Sequence, residues 1–187
     1  MQRIVTRAAR RLRAFAGDSR GTIAVEALIV LPLLFFVLIL SVVYYDAYRT
    51  MNTNAKAAYV VADLISRQTA PVTPAYLDGL GQVYATLAGP RHPTWLRISS
   101  IDRDPQTEAL RIRWSHATGG MDALSKERLA DITHRVPPLT TGETVLLVET
   151  LMDYTAPTTV GPVRTLVHVI PTRPRFVPRV VFDGPVS

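Results

Sequence analysis

The sequence contains no cysteine among its 187 residues. Structural disulfides and thiolate-ligated metal sites are therefore excluded. It also lacks the short motifs of common enzymes, since it has no G-x-S-x-G, no phosphate-binding loop and no dinucleotide fingerprint. Its four histidines are not spaced as a metal-binding pair on a helix; they are His92, His116, His134 and His168. We therefore expect a protein that is not an enzyme and that binds no metal or cofactor.

Net positive charge is scarce outside the first 21 residues. The chain has a formal net charge of +6. Residues 1–21 hold six arginines against one aspartate, a net of +5, which leaves +1 for the rest. A nearly neutral remainder has no basic face for a phosphate backbone, so we expect no binding to nucleic acid. Arginines beside an apolar segment favour a cytoplasmic N-terminus, by the positive-inside rule.

Charged side chains are also missing from Ala27 to Tyr45, a run of 19 residues. As a helix this run is about 28 Å long, close to the ~30 Å hydrocarbon core of a bilayer. We therefore predict one transmembrane helix over residues 22–45. Pro32 lies inside it, cannot donate to the carbonyl of Leu28, and predicts a kink.

The residues around the start of this helix form a recognisable pattern. Residues 20–40 read RGTIAVEALIVLPLLFFVLIL, in which Glu26 follows Gly21 by five positions. A glycine at the edge of a span with an acidic residue at that distance resembles the type IV prepilin processing site. The motif R-G-x-x-A-V-E followed by L-P-L-L resembles the N-terminal sequences of the TadE-like family, which are minor pseudopilins of the bacterial tight-adherence (Tad/Flp) pilus. The resemblance covers about residues 7–50.

The resemblance implies how the chain is processed and where it works. Residues 1–21 would be a leader that a prepilin peptidase removes after Gly21, so that Thr22 becomes the new N-terminus. The mature protein would lie in the bacterial inner membrane with a periplasmic C-terminal domain, and could enter the pilus. Its expected partners are other pilin-like subunits (such as TadE with TadF), the inner-membrane pilus assembly machinery and membrane lipid. The alternative is that residues 1–21 are a cytoplasmic tail that only sets topology.

The presence of Glu26 at the start of a membrane span requires an explanation, because an acidic side chain at mid-membrane costs on the order of 2.5–3.5 kcal/mol, and less near the interface. The α-amino group of Thr22 on a neighbouring subunit would lie at a similar depth. An ammonium and a carboxylate at ~4 Å attract strongly where the dielectric constant is low. Such a pair would set the axial register of packed helices. The alternative is that Glu26 reaches the lipid headgroups or returns to Arg20.

The remaining sequence predicts an α+β, pilin-like fold. The helix continues over residues 46–68, and an apolar stripe is predicted to pack on the soluble domain; it comprises Met51, Ala55, Ala58, Ala62 and Ile65. Residues 69–187 are predicted to form an extracytoplasmic domain with an antiparallel sheet of about four strands and one or two short helices. The predicted elements are a helix over Pro74–Ala88, strands around Leu96–Ser99, Leu110–Trp114, Glu143–Met152 and Val163–Ile170, a turn at Asp102–Gln106 and a helix near Ala123–His134.

The last residues are rich in proline, so we expect an edge strand or an extended arm there. Arg173, Arg175 and Arg179 surround Phe176 in this segment. Solvated arginines are the simpler expectation, and contact with an acidic partner is the alternative. For the whole chain, two functions fit the sequence: a processed pilin-like assembly subunit, and an uncleaved bitopic anchor that presents a binding domain.

Overall fold

The computed structural model describes residues 14, 15, 17, 20–157 and 163–185, with the side chains of residues 20–24 and 163 left out. The fold is α+β. Its helices are α1 (Arg20–Ser66), α2 (Pro74–Ala88) and α3 (Lys126–Ile132), the last followed by a 3-10 turn (Thr133–Arg135). Its strands are β1 (Thr94–Arg103), β2 (Leu110–Ala117), β3 (Thr144–Thr155) and β4 (Val163–Thr172). The chain forms two compact units, Met1–Tyr44 and Tyr45–Ser187.

Helix α1 is one continuous element of 47 residues, with Pro32 inside it. At ~1.5 Å per residue it is about 70 Å long. The predicted helix over residues 22–45, continuing over 46–68, is confirmed as one helix to within two residues at each end. The predicted leader, residues 1–21, lies mostly outside the described residues.

The C-terminal part of α1 buries one face in the core of the second unit. Of the predicted stripe, Ala58, Ala62 and Ile65 are buried as expected. Met51 is 47% exposed, so the prediction that it packs on the domain is wrong. The face also contains three residues that the prediction left out, namely Asn54, Ala57 and Val61. The buried positions recur every three to four residues from Asn54 onward, which is the period of one helix face.

The four strands form one antiparallel sheet in the order β2-β1-β3-β4. The four-stranded antiparallel sheet is therefore confirmed, with β1 and β3 as its interior strands. In the register, Ser99 of β1 lies opposite Leu147 of β3 and Ser115 of β2. The pairing of β1 with β2 shifts between Ser100 and Ile101, so that Arg113 has no direct partner. This bulge locally bends the edge of the sheet.

The two faces of the sheet are covered by different elements. One face packs against α1 and α2, through buried residues such as Ile98, Trp114 and Val148. The other face packs against α3 and the segment that follows it, through residues such as Leu129 and Leu147. Because both faces are covered, β3 is apolar on its two sides rather than alternating.

Two local predictions differ from the structure. Strand β1 continues to Arg103, so the turn follows at residues 104–109 instead of Asp102–Gln106. The carboxylate of Asp104 accepts hydrogen bonds from two backbone amides of that turn, which fixes its start. Helix α3 begins at Lys126 rather than near Ala123, because the side chain of Ser125 caps it by accepting from the amide of Arg128.

The segment after β4 forms an extended arm, one of the two predicted alternatives. Its Phe182 makes a single parallel bridge with Val72, and the carbonyl of Val180 accepts a hydrogen bond from the indole of Trp114 at 3.0 Å. Two of its arginines are not simply solvated: Arg173 pairs with Glu143 at 3.2 Å, and Arg175 pairs with Asp63 at 2.7 Å. The arm is therefore attached to the domain by both backbone and side-chain contacts.

Candidate functional site

The predicted processing residues lie in the first turn of α1. Gly21 and Thr22 are both helical, directly after Arg20, where the helix begins. The first four amides of a helix have no intrahelical acceptor. A glycine in a helix also costs about 0.5–1 kcal/mol relative to alanine. The bond between Gly21 and Thr22 is thus in the part of α1 that can be drawn into an extended conformation at the smallest loss of hydrogen bonds.

Glu26 lies one to two turns further along α1, and its side chain is exposed. Among the side chains that the structure describes, no ion pair involves Glu26. The alternative contact with Arg20 falls on a side chain outside the described set. Glu26 is therefore a carboxylate at the start of an apolar helix, oriented so that a group from outside the chain could reach it.

The apolar part of α1 exposes large side chains along its length. Those from Leu28 to Leu40 are all exposed, Leu28 to 74%. The helix contains an 18-residue window of mean hydropathy 2.9, long and apolar enough to cross a membrane by length and composition. Exposed apolar surface of this extent normally marks contact with lipid or with other proteins.

Pro32 lies in the middle of this apolar segment, and the helix continues on both sides of it. Because proline has no amide proton, the carbonyl of Leu28 loses its usual partner four residues later. Membrane helices accommodate this loss when neighbouring groups supply a donor. The structure thus places Gly21, Thr22, Glu26 and Pro32 on one helix, and no further element contributes to that site within the described residues.

The histidines lie in the second unit, and their contacts there are structural. The Nε2 atom of His116 is 2.8 Å from a carboxylate oxygen of Asp78, and its ring centre is 6.0 Å from that of Phe182. His168 lies on the edge strand β4, where partial burial lowers its pKa. Among the described residues, no group of three or more possible metal-binding side chains was found.

Three polar features of the domain were missed from the sequence. Arg97 and Glu149 form a buried ion pair between β1 and β3. The hydroxyl group of Tyr154 donates to Asp46 at 3.0 Å, and Asp46 borders a surface cleft of about 390 Å³. In the core, the Tyr84 hydroxyl donates to a buried Asn54. A glutamate within the apolar run of β3 was a usable signal for the first feature, whereas the cleft combines segments far apart in sequence.

Burial raises the pKa of Tyr84 above its ordinary value, and its hydrogen bonding opposes this only in part. The amide nitrogen of Asn54 and the hydroxyl group of Thr150 are buried without a hydrogen-bond partner in the part of the chain described. We therefore assign these residues to core packing.

Comparison with protein-family models, with curated proteins and with solved structures gave no match.

Proposed function

We propose that this chain is a pilin-like minor subunit for the assembly of a Tad/Flp-type pilus and that a prepilin peptidase matures it by cleavage after Gly21. The observation that carries this proposal is Glu26: an exposed carboxylate near the start of an apolar, exposed helix. A helix that served only as an anchor would have no use for a charge at this position, and the charge opposes insertion.

Cleavage would supply a partner for Glu26. It would create an α-amino group on Thr22, four residues from Glu26 and at a similar membrane depth. The carboxylate of one subunit and the new amine of its neighbour would then each reduce the other's desolvation cost. The pair would form only between staggered helices whose apolar surfaces are in contact, which couples processing to assembly.

The rest of the fold supports the same proposal. A long apolar N-terminal helix continues into a helix that packs on a four-stranded antiparallel sheet. This arrangement suits a subunit whose helix packs against other helices and whose sheet domain lies outside the membrane. We propose that the domain is periplasmic, since the arginines of residues 1–21 favour a cytoplasmic N-terminus.

The decisive experiment is to determine the N-terminus of the mature protein, by mass spectrometry of membranes from the native host. A chain that begins at Thr22 supports processing. A chain that still begins at Met1, in cells with an active prepilin peptidase, refutes it and favours the uncleaved bitopic anchor. A Gly21→Val variant should remain as the larger species on a gel.

Assembly is tested separately through Glu26. A Glu26→Ala variant should insert into the membrane and be cleaved, but should fail to enter the pilus or its assembly complex. Glu108 is an exposed glutamate in the second unit, so Glu108→Ala is a matched control that should assemble normally. Normal piliation with Glu26→Ala would contradict the assembly role.

A further inference from the structure

A cleft of about 390 Å³ lies beside α1, shortly after its apolar segment ends. Arg49, Thr50 and Thr53 line it from α1, on positions spaced so that they share one helix face. Arg91 and His92 line it from the loop that follows α2. The cleft therefore gathers basic and hydroxyl-bearing side chains from two separate segments.

The charge of the cleft suits an anion. Arg49 and Arg91 are both exposed, and among the described residues neither has an ion-pair partner within 4.0 Å. The one carboxylate in the lining, Asp46, already accepts a hydrogen bond from the Tyr154 hydroxyl at 3.0 Å. Two guanidinium groups and one carboxylate, which is already hydrogen-bonded, leave the cleft with a net positive charge. The planar set of N–H donors on a guanidinium group also matches the geometry of phosphate oxygens.

The position of the cleft along the helix suits a membrane surface. The uncharged run ends at Tyr45, and Arg49 follows four residues later, or about 6 Å along the axis. The headgroup layer of each leaflet is about 5–8 Å thick. Tyr44, Tyr45 and Tyr48 are exposed at this level, as in the aromatic belts that mark membrane interfaces.

We propose that this cleft binds the phosphate of an anionic phospholipid, in the leaflet nearer the C-terminal domain. The inference rests on the proposed insertion of α1 into a membrane. Arg49 and Arg91 hold the phosphate from two sides, and the hydroxyl groups of Thr50 and Thr53 supply further donors. A bound headgroup links α1 to the loop after α2 at the point where the helix leaves the lipid.

The test is native mass spectrometry of the full chain, released from detergent micelles that contain phosphatidylglycerol or phosphatidylcholine. The wild-type chain should retain phosphatidylglycerol in preference to phosphatidylcholine. The double variant Arg49→Gln/Arg91→Gln should bind phosphatidylglycerol about 30-fold more weakly, since each basic residue at a membrane surface contributes about a factor of five. An unchanged melting temperature of the variant shows that it folds.

The control is Arg128→Gln/Arg179→Gln, which removes the same charge from exposed sites elsewhere in the domain. It should bind phosphatidylglycerol as the wild type does. An equal loss in this control, or equal retention of the two lipids by the wild type, overturns the proposal. Displacement of the lipid by an equal concentration of inorganic phosphate assigns the site to free phosphate and also overturns it.

The outcome is separable from that of the proposed function. The measurement of lipid retention by native mass spectrometry needs neither cleavage after Gly21 nor a pilus, because it uses the purified, uncleaved chain. A protein that is never processed can still retain phosphatidylglycerol in the predicted way. A processed and assembled protein that does not discriminate between the lipids refutes the lipid site alone.

Discussion

Replacing Arg97 by methionine removes the positive half of an ion pair buried in the sheet domain. Two guanidinium nitrogens of Arg97 lie 2.6 Å from the two carboxylate oxygens of Glu149, and a third donates to the carbonyl of Asp122 at 3.2 Å. The side chains of the pair are only 3% and 6% exposed. The substitution therefore leaves a buried carboxylate without its counter-charge.

The expected cost of Arg97→Met is about 3–5 kcal/mol of unfolding free energy, as for other buried pairs that lose one partner. That is a large share of the ~5–15 kcal/mol typical of a folded domain. Most of the cost should disappear in the double variant Arg97→Met/Glu149→Leu, because no buried charge then remains. Part of it should persist, since the Asp122 carbonyl loses its donor, at about 1 kcal/mol.

The assay is urea unfolding of the full chain in detergent micelles, followed by tryptophan fluorescence. Arg173→Met is the matched control, because Arg173 pairs with Glu143 at the surface, with the two side chains 57% and 35% exposed. It should cost at most about 1 kcal/mol. The reasoning is refuted if Arg97→Met costs no more than this control, or if the double variant is no more stable than the single one.

Three further predictions concern the same domain. Gly89→Ala should lower the unfolding free energy by about 1–3 kcal/mol because Gly89 has φ = 111°, whereas Gly79→Ala, inside α2, should raise it by about 0.5–1 kcal/mol. An added Cβ meets no atom within 4 Å at either site, so urea midpoints of the two variants isolate the backbone effect. Burial lowers the pKa of His168 in the folded chain. On acidification the unfolded chain therefore binds a proton at His168 before the folded chain does, and the unfolding free energy should fall as the pH drops below about 6.5. In melting curves recorded from pH 7.5 to 5, the His168→Gln variant should lack this part of the pH dependence of stability. Burial raises the pKa of Asp102, but Arg111 and a second arginine outweigh it and hold this pKa below its ordinary value. The stability from Asp102 is thus present above about pH 4 and lost as the pH falls through the lower folded pKa. Arg111→Gln brings this pKa closer to its ordinary value, so the variant should be less stable than the wild type near pH 7 but should lose less stability in melts between pH 5 and 2.

Local sequence signals were sufficient to predict the bounds of a helix where capping residues mark its ends. The bounds of α2 were predicted to the residue, because Thr73 caps its start with its side chain and Gly89 ends it. The start of α3 was predicted too early, although Ser125 carried the same kind of signal. The long helix was predictable because its apolar run has the length of a membrane span and the pattern of one apolar face continues after it without a glycine.

Contacts between distant residues were not predictable from one sequence. The indole of Trp114 meets the Val180 carbonyl across 66 positions, and Arg175 meets Asp63 across a still longer separation in sequence. Each requires the whole sheet to be in place first. The cleft beside Arg49 has the same origin, because its walls come from α1, the loop after α2 and the end of β3. The proposed processing residues, in contrast, form a local pattern, so they could be proposed without knowledge of the fold.

The extended arm determines how the domain carries a mechanical load. The amide of Val72 donates to Val181, and the amide of Asp183 donates to Val72, both at 2.8 Å, in a parallel bridge. A tensile force between α1 and residues beyond 183 pulls these two parallel segments from opposite ends, so both hydrogen bonds are sheared together rather than opened one by one. The sheet shares this load, because the indole of Trp114 in β2 donates to the carbonyl of Val180 directly beside the bridge.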